Sequence, residues 1–217
     1  MSFDKKLASY IDHTLLSPDV TPAELSKACK VAKQHHFAGV CVNACNIPFI
    51  AEQLQGADVK PVTVVGFPLG ASSPQAKAFE AKDAIENGVL EIDMVINIGA
   101  LKAKDYTTVY QDISVVVRAS SPHIVKVIIE TGLLRRDEKI AAAVLSKAAG
   151  EAFVKTSTGF GPGGATIEDI RLIRQVIGDD MHIKASGGIR TKTDAIKMIE
   201  AGADRIGTSK GPEIIHD

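Results

Sequence analysis

The chain has 217 residues, with 25 lysines and arginines against 26 aspartates and glutamates, a formal charge of −1. That near-balance argues against a nucleic-acid partner, which calls for a basic excess or stripe. A hydrophobic share of 45% with 24% charged residues is ordinary for a soluble globular chain, and the length suits a single domain over 1–217 better than two.

The start, Met1-Ser2-Phe3-Asp4-Lys5-Lys6, has no apolar signal core, and no later run is long enough to span a membrane, so a cytoplasmic protein without a membrane partner is expected. Short apolar runs then recur at 10–16, 39–43, 62–67, 91–97, 124–130, 152–157, 182–186 and 205–209. Amphipathic stretches with helical periodicity lie between them, at 21–36, 74–87, 105–119, 135–149, 166–177 and 191–201. Thr21-Pro22-Ala23-Glu24 reads as a capping box with proline at the first helical position, and Gly88, Gly150, Gly178 and Gly202 stand where helices end. Strict alternation of strand and helix implies a parallel sheet. Eight strands favour closure into a (β/α)₈ TIM barrel, with an incomplete last unit because only seven residues follow Lys210. An open dinucleotide-binding sheet is the weaker reading, because no GxGxxG turn follows the first strand.

Within the strands the side chains alternate in chemistry. Ile92, Met94 and Ile96 share one face, opposite Glu91, Asp93, Val95 and Asn97. The same division sets Lys126, Ile128 and Glu130 apart from Val125, Val127 and Ile129, Lys155 and Ser157 apart from Val154 and Thr156, and Lys184 and Ser186 apart from Ile183 and Ala185. In a barrel the apolar set faces the helices. Lys126, Lys155 and Lys184 are therefore expected inside, with Asp12 and Asp93 able to point inward too. A single inward lysine is ordinarily an ion-paired residue. Three on successive strands, beside carboxylates, point instead to amine chemistry, since crowding and desolvation both disfavour the ammonium form. Alternation alone does not choose among the three.

Glycines cluster after the last three strands, in Thr158-Gly159-Phe160-Gly161-Pro162-Gly163-Gly164, Ser186-Gly187-Gly188-Ile189-Arg190 and Gly207-Thr208-Ser209-Lys210-Gly211. In this fold, loops at that end commonly hold a phosphate with backbone N–H groups. Tight turns explain glycines equally well elsewhere; the location favours phosphate.

Five stretches together resemble the 2-deoxyribose-5-phosphate aldolase family of class I aldolases: Tyr10-Ile11-Asp12-His13-Thr14-Leu15-Leu16, Val65-Gly66-Phe67-Pro68-Leu69-Gly70, Glu91-Ile92-Asp93-Met94-Val95-Ile96-Asn97, Phe153-Val154-Lys155-Thr156-Ser157-Thr158-Gly159 and Lys184-Ala185-Ser186-Gly187-Gly188-Ile189-Arg190. The resemblance implies a Schiff base on Lys155, with Lys184 and Asp93 as catalytic partners. It implies phosphate contacts at Gly159, Gly187, Gly188, Gly207 and Ser209, and a supporting network of Asp12 and Lys126. The implied substrates are a phosphosugar and aldehydes, without cofactor or metal, in a homo-oligomer of two or more chains. Lys210 stands where a small residue is usual, and is expected to add phosphate attraction rather than swing into solvent. Pro162 and Ser17 also depart from the family pattern. A metal-dependent aldolase is disfavoured because the six histidines show no HxH or HxxxH pair. Cys29, Cys41 and Cys45 form no CxxC pair and read as reduced thiols. Cys41 falls on the inward face of the second strand and is expected to be a small buried thiol; only if open to the pocket would it be alkylated by unsaturated aldehydes.

Overall fold

Thr21 shows how local chemistry sets the elements. Its hydroxyl accepts the Glu24 amide, while the Glu24 carboxylate accepts the Thr21 amide at 2.8 Å, closing the capping box ahead of Pro22. Ser73, Asp105, Thr166 and Thr191 each accept an amide of the first turn they precede. Each such cap contributes about 1 kcal/mol.

A computed structural model describes residues 3–150 and 152–216; Met1 and Ser2 of the expected leaderless start, Glu151 and Asp217 fall outside. The described elements run α1 (Phe3–Ala8), β1 (Ile11–Leu15), α2 (Pro22–His35), β2 (Gly39–Val42), α3 (Ile47–Gln53), β3 (Lys60–Val65), α4 (Pro74–Glu86) and β4 (Glu91–Val95). They continue through α5 (Ile98–Lys102), α6 (Tyr106–Ser120), β5 (Ile124–Ile128), α7 (Arg136–Ala148), β6 (Phe153–Lys155), α8 (Ile167–Ile177), β7 (His182–Ser186), α9 (Lys192–Glu200), β8 (Arg205–Thr208) and α10 (Gly211–His216). Short 3₁₀ turns at Ala44–Asn46 and Thr131–Leu133 follow β2 and β5.

All neighbouring strands are parallel, and β8 pairs with β1, so the sheet is a closed (β/α)₈ barrel rather than an open one. The last unit is not incomplete: α10 follows β8. That helix, like α1, α3 and α5, has five to seven residues, too few turns for a helical period to stand out in the sequence. Several strands are shorter than their apolar runs, because the residues beyond their C-terminal ends leave the ladder to build loops.

The main core lies between barrel and helices. Ile92, Met94, Ile96, Val125, Val127, Ile129, Val154, Ile183 and Ala185 pack there against Ile113 and Val116 of α6 and Ile170, Ile173 and Ile177 of α8. Burial of each large aliphatic side chain contributes about 1.5–3 kcal/mol. Inside the barrel a smaller apolar cluster, Leu16, Cys41, Val62 and Val64 with Phe67 against it, occupies the side of β1, β2 and β3. The charged residues occupy the other side of the interior, with Val95 and Ile128 buried on the same strand faces.

Candidate active site

Strand register brings the ionic residues together. Asp93 lies level with Lys126 on the neighbouring β5, and Lys155 level with Lys184 on β7. Their side chains all turn inward and meet at one carboxylate. Asp93 Oδ1 accepts from Lys126 Nζ at 2.9 Å, and Asp93 Oδ2 accepts from Lys155 Nζ at 2.8 Å and from Lys184 Nζ at 2.7 Å. Asp12 adds a second carboxylate, with Oδ2 at 2.5 Å from Lys184 Nζ. All the expected catalytic and supporting residues therefore fall into one cluster, and each is buried.

The electrostatics follow from that packing. Burial by itself raises the Asp93 carboxyl, but Lys126, Lys155 and Lys184 outweigh it and hold the group well below its usual 3.8. Burial also works against the charge on Asp12, and Lys184, Arg205 and Lys126 overcome it to hold that carboxyl down. For Lys184, burial favours the neutral amine. Asp12 and Asp93 reverse this and push it above its usual 10.5, so Lys184 is an ammonium at neutral pH.

Two members of the cluster were not singled out from the sequence. Arg205 Nη1 donates to Asp12 Oδ1 at 2.7 Å and to Glu91 Oε2 at 3.2 Å, and Glu91 Oε2 lies 2.7 Å from Lys126 Nζ. The signal was present: period two places Arg205 with Gly207 and Ser209 on the inward face of β8, as Glu91 shares a face with Asp93 on β4.

Above the cluster, at the C-terminal ends of the strands, opens a cavity of about 310 Å³. Of Lys126, Lys155 and Lys184, only Lys155 lines it. Gly159, Gly187, Gly188, Gly207 and Ser209 all line it as well, together with Thr14, Leu16, Ser17, Thr158, Phe160, Ser186, Ile189, Arg190 and Thr208. Gly187 and Gly188 have φ of +88° and +79°, a left-handed pair that turns the main chain along the wall. Gly207 serves a different need, since a Cβ there would lie 3.1 Å from Lys184 Cε. Glu130, also missed, backs the wall. Its Oε2 accepts the Thr158 amide at 3.2 Å and the Thr158 hydroxyl, which itself accepts the Phe160 amide at 3.0 Å.

One expectation fails and one holds. Lys210 is not in the lining of this cavity: it turns away to pair with Glu213 at 3.0 Å, the partner one helical turn along. Cys41 is not open to the cavity. It is sealed among Val62, Val64 and Leu16, and burial pushes its thiol up to about 11. Burial does the same to Cys29, whereas Cys45 is exposed. Titration of the native protein with an aromatic disulfide reagent is accordingly expected to modify Cys45 promptly, and Cys29 and Cys41 only on unfolding. A second fast thiol would contradict the sealed interior. Among the described residues, no group of three His, Cys, Asp or Glu is placed to hold a metal ion, and no helix is long and apolar enough to cross a membrane.

The family model for DeoC/LacD aldolases matches residues 6–214. A deoxyribose-phosphate aldolase of Thermotoga maritima is 58% identical over 207 residues, covering 95% of this chain and 84% of that protein. One from Streptococcus uberis is 56% identical over 211 residues, covering 97% and 96%. Among solved structures, the tetrameric deoxyribose phosphate aldolase of Aeropyrum pernix superimposes with a TM-score of 0.92 at 32% identity, covering 100% of this chain and 92% of that one.

Proposed function

The chain belongs to the DeoC/LacD family of aldolases and cleaves deoxyribose phosphate, and from this premise we propose that the reaction runs through a Schiff base on Lys155. The observation that carries the choice is that Lys155 lines the cavity while Lys126 and Lys184 are fully buried beneath it. Charge balance supports it. Lys126, Lys155, Lys184 and Arg205 face Asp12, Glu91 and Asp93, four cations against three anions. Release of one proton from Lys155 leaves that set neutral and yields the amine that the chemistry needs.

In the forward direction the substrate is 2-deoxy-D-ribose 5-phosphate in its open-chain form. The Lys155 amine adds to the C1 aldehyde, and loss of water gives the iminium. The bond that then breaks is C2–C3, because acetaldehyde carries away only C1 and C2. Its electron pair moves into the iminium to form an enamine, while the C3 hydroxyl gives up its proton and becomes the aldehyde of D-glyceraldehyde 3-phosphate. Protonation of the enamine at C2 and hydrolysis of the imine release acetaldehyde and regenerate Lys155. Asp93 and Lys184 move the protons. Conversion of Lys155 to an uncharged amine removes one of the cations holding Asp93 ionised, which raises its proton affinity as a relay requires. The phosphate sits against Gly159, Gly187, Gly188, Gly207 and Ser209, where the backbone allows close approach.

Reduction with borohydride in the presence of acetaldehyde tests the assignment. An ethyl adduct is expected on the peptide bearing Lys155, and its absence, or its persistence in Lys155→Ala, would falsify it. A strong chelator is expected to leave the turnover rate unchanged, since amine catalysis of this kind needs no Lewis acid. A chelator-sensitive rate restored by a divalent ion would favour the metal-dependent alternative. A cytoplasmic homo-oligomer completes the reading, following the tetramer described for the Aeropyrum pernix enzyme; light scattering of the purified chain measures the assembly.

A further inference from the structure

The ionic cluster is a closed ring. Arg205 on β8 donates through one nitrogen to Asp12 and to Glu91. Asp12 holds Lys184 at 2.5 Å, and Glu91 holds Lys126 at 2.7 Å. Both lysines then donate to Asp93, one to each oxygen. Charge alternates around the whole circuit: Arg205, Asp12, Lys184, Asp93, Lys126, Glu91 and back to Arg205. Lys155 hangs from Asp93, the vertex opposite Arg205.

We propose that Arg205 is a positioning residue for imine formation: as the lower vertex of this ring, it fixes the two arms that hold Asp93 beneath Lys155 and sets the charge balance there. The proposal rests on the Schiff-base reading and extends it to the opposite end of the barrel. Arg205 is absent from the lining of the reaction cavity. Its guanidinium lies over the Phe153 ring at 5.6 Å from the centroid and faces a separate cavity at the N-terminal mouth. The other charged or titratable groups at that mouth are Lys6 of α1, Tyr10 before β1, His182 of β7 and Asp204 before β8. Asp204 is drawn aside by Arg174 at 2.5 Å. Lys155 for its part faces Asp93 of β4 and Lys184 of β7, with Lys126 of β5, Asp12 of β1 and the Cys41 thiol of β2 further round the interior.

Alternation makes the ring sensitive at every vertex, because removal of one charge leaves two neighbours of the same sign unopposed. Without Arg205 the interior loses one positive charge, which favours the ammonium form of the lysines in it, so imine formation needs a higher pH. Without the Glu91 charge the balance shifts the other way. A purely structural role for Arg205 would not produce opposite displacements.

The test is the pH dependence of kcat/KM, and of borohydride trapping with acetaldehyde, in the wild type, Arg205→Met and Glu91→Gln. The acid limb is expected to move up by roughly half to one pH unit in Arg205→Met and down in Glu91→Gln, with KM for the phosphosugar at the optimum within about twofold of wild type. Limbs that coincide with wild type, or move in the same direction in both variants, overturn the proposal. Should Arg205→Met not fold, Arg205→Lys carries the test. It keeps a charge but is too short to hold both carboxylates, so a smaller upward shift is expected, and an unmoved limb overturns the proposal. A wild type that traps nothing on Lys155 overturns the Schiff-base reading and this proposal together; a trapping wild type with unmoved limbs overturns this proposal alone.

Discussion

Lys155→Ala is expected to lower kcat/KM for 2-deoxy-D-ribose 5-phosphate by about 10⁴-fold or more, the scale on which enzymes lose activity with their covalent nucleophile. The protein should still fold. Asp93 keeps Lys126 and Lys184 as counter-ions at 2.9 and 2.7 Å, so no carboxylate is left bare, and the space vacated opens onto the cavity. Loss of rate with an unchanged thermal midpoint is therefore the expected pair of results, measured by steady-state kinetics and by differential scanning calorimetry. Lys184→Met and Lys126→Met should also lose rate while still trapping acetaldehyde on Lys155, given long incubation. Substantial turnover by Lys155→Ala, or trapping that disappears only in Lys184→Met, would move the imine to another lysine.

Asp93→Asn is expected to have the largest effect on stability. Removal of this carboxylate strips one counter-ion from three buried ammonium groups at once. Breaking a buried ion pair from one side costs about 3–5 kcal/mol, less whatever the lysines recover by giving up protons. The acid side of the stability curve provides a second readout. Asp93 and Asp12 are held below their usual 3.8 in the folded protein, so their contribution is complete above about pH 4 and is lost as pH falls through their folded values. Asp93→Asn lacks its share of that contribution, and its stability should fall less steeply between neutral pH and pH 2. Lys184 acts at the other end. Its folded value lies above 10.5, so its contribution is complete below that pH and is lost only in stronger alkali. Urea unfolding at stepped pH measures all of this; parallel curves for variant and wild type below pH 4 would mean that Asp93 is not ionised in the folded state.

Much of this site is legible in the sequence. A period of two separates the inward from the outward face of each strand whatever surrounds it, so Asp93, Lys126, Lys155 and Lys184 were legible as interior residues from β4 to β7 alone. Helix starts were legible for the same reason: Thr21 and Glu24 meet through contacts only three residues apart. Short elements were not. The five residues of α5 and the six of α10 are ordered by what they pack against, and their own sequence carries no period long enough to detect.

The sequence by itself thus determined which side chains enter the barrel and that glycines gather after its last three strands, because pleat and backbone freedom are local properties. Only the tertiary structure decided how the interior charges pair, because pairing depends on the stagger of strands far apart in the chain. Arg205 meets Asp12 across 193 positions and Glu91 across 114. The same closure sealed Cys41 behind Val62 and Val64 and left Lys155, of the three lysines, at the floor of the cavity.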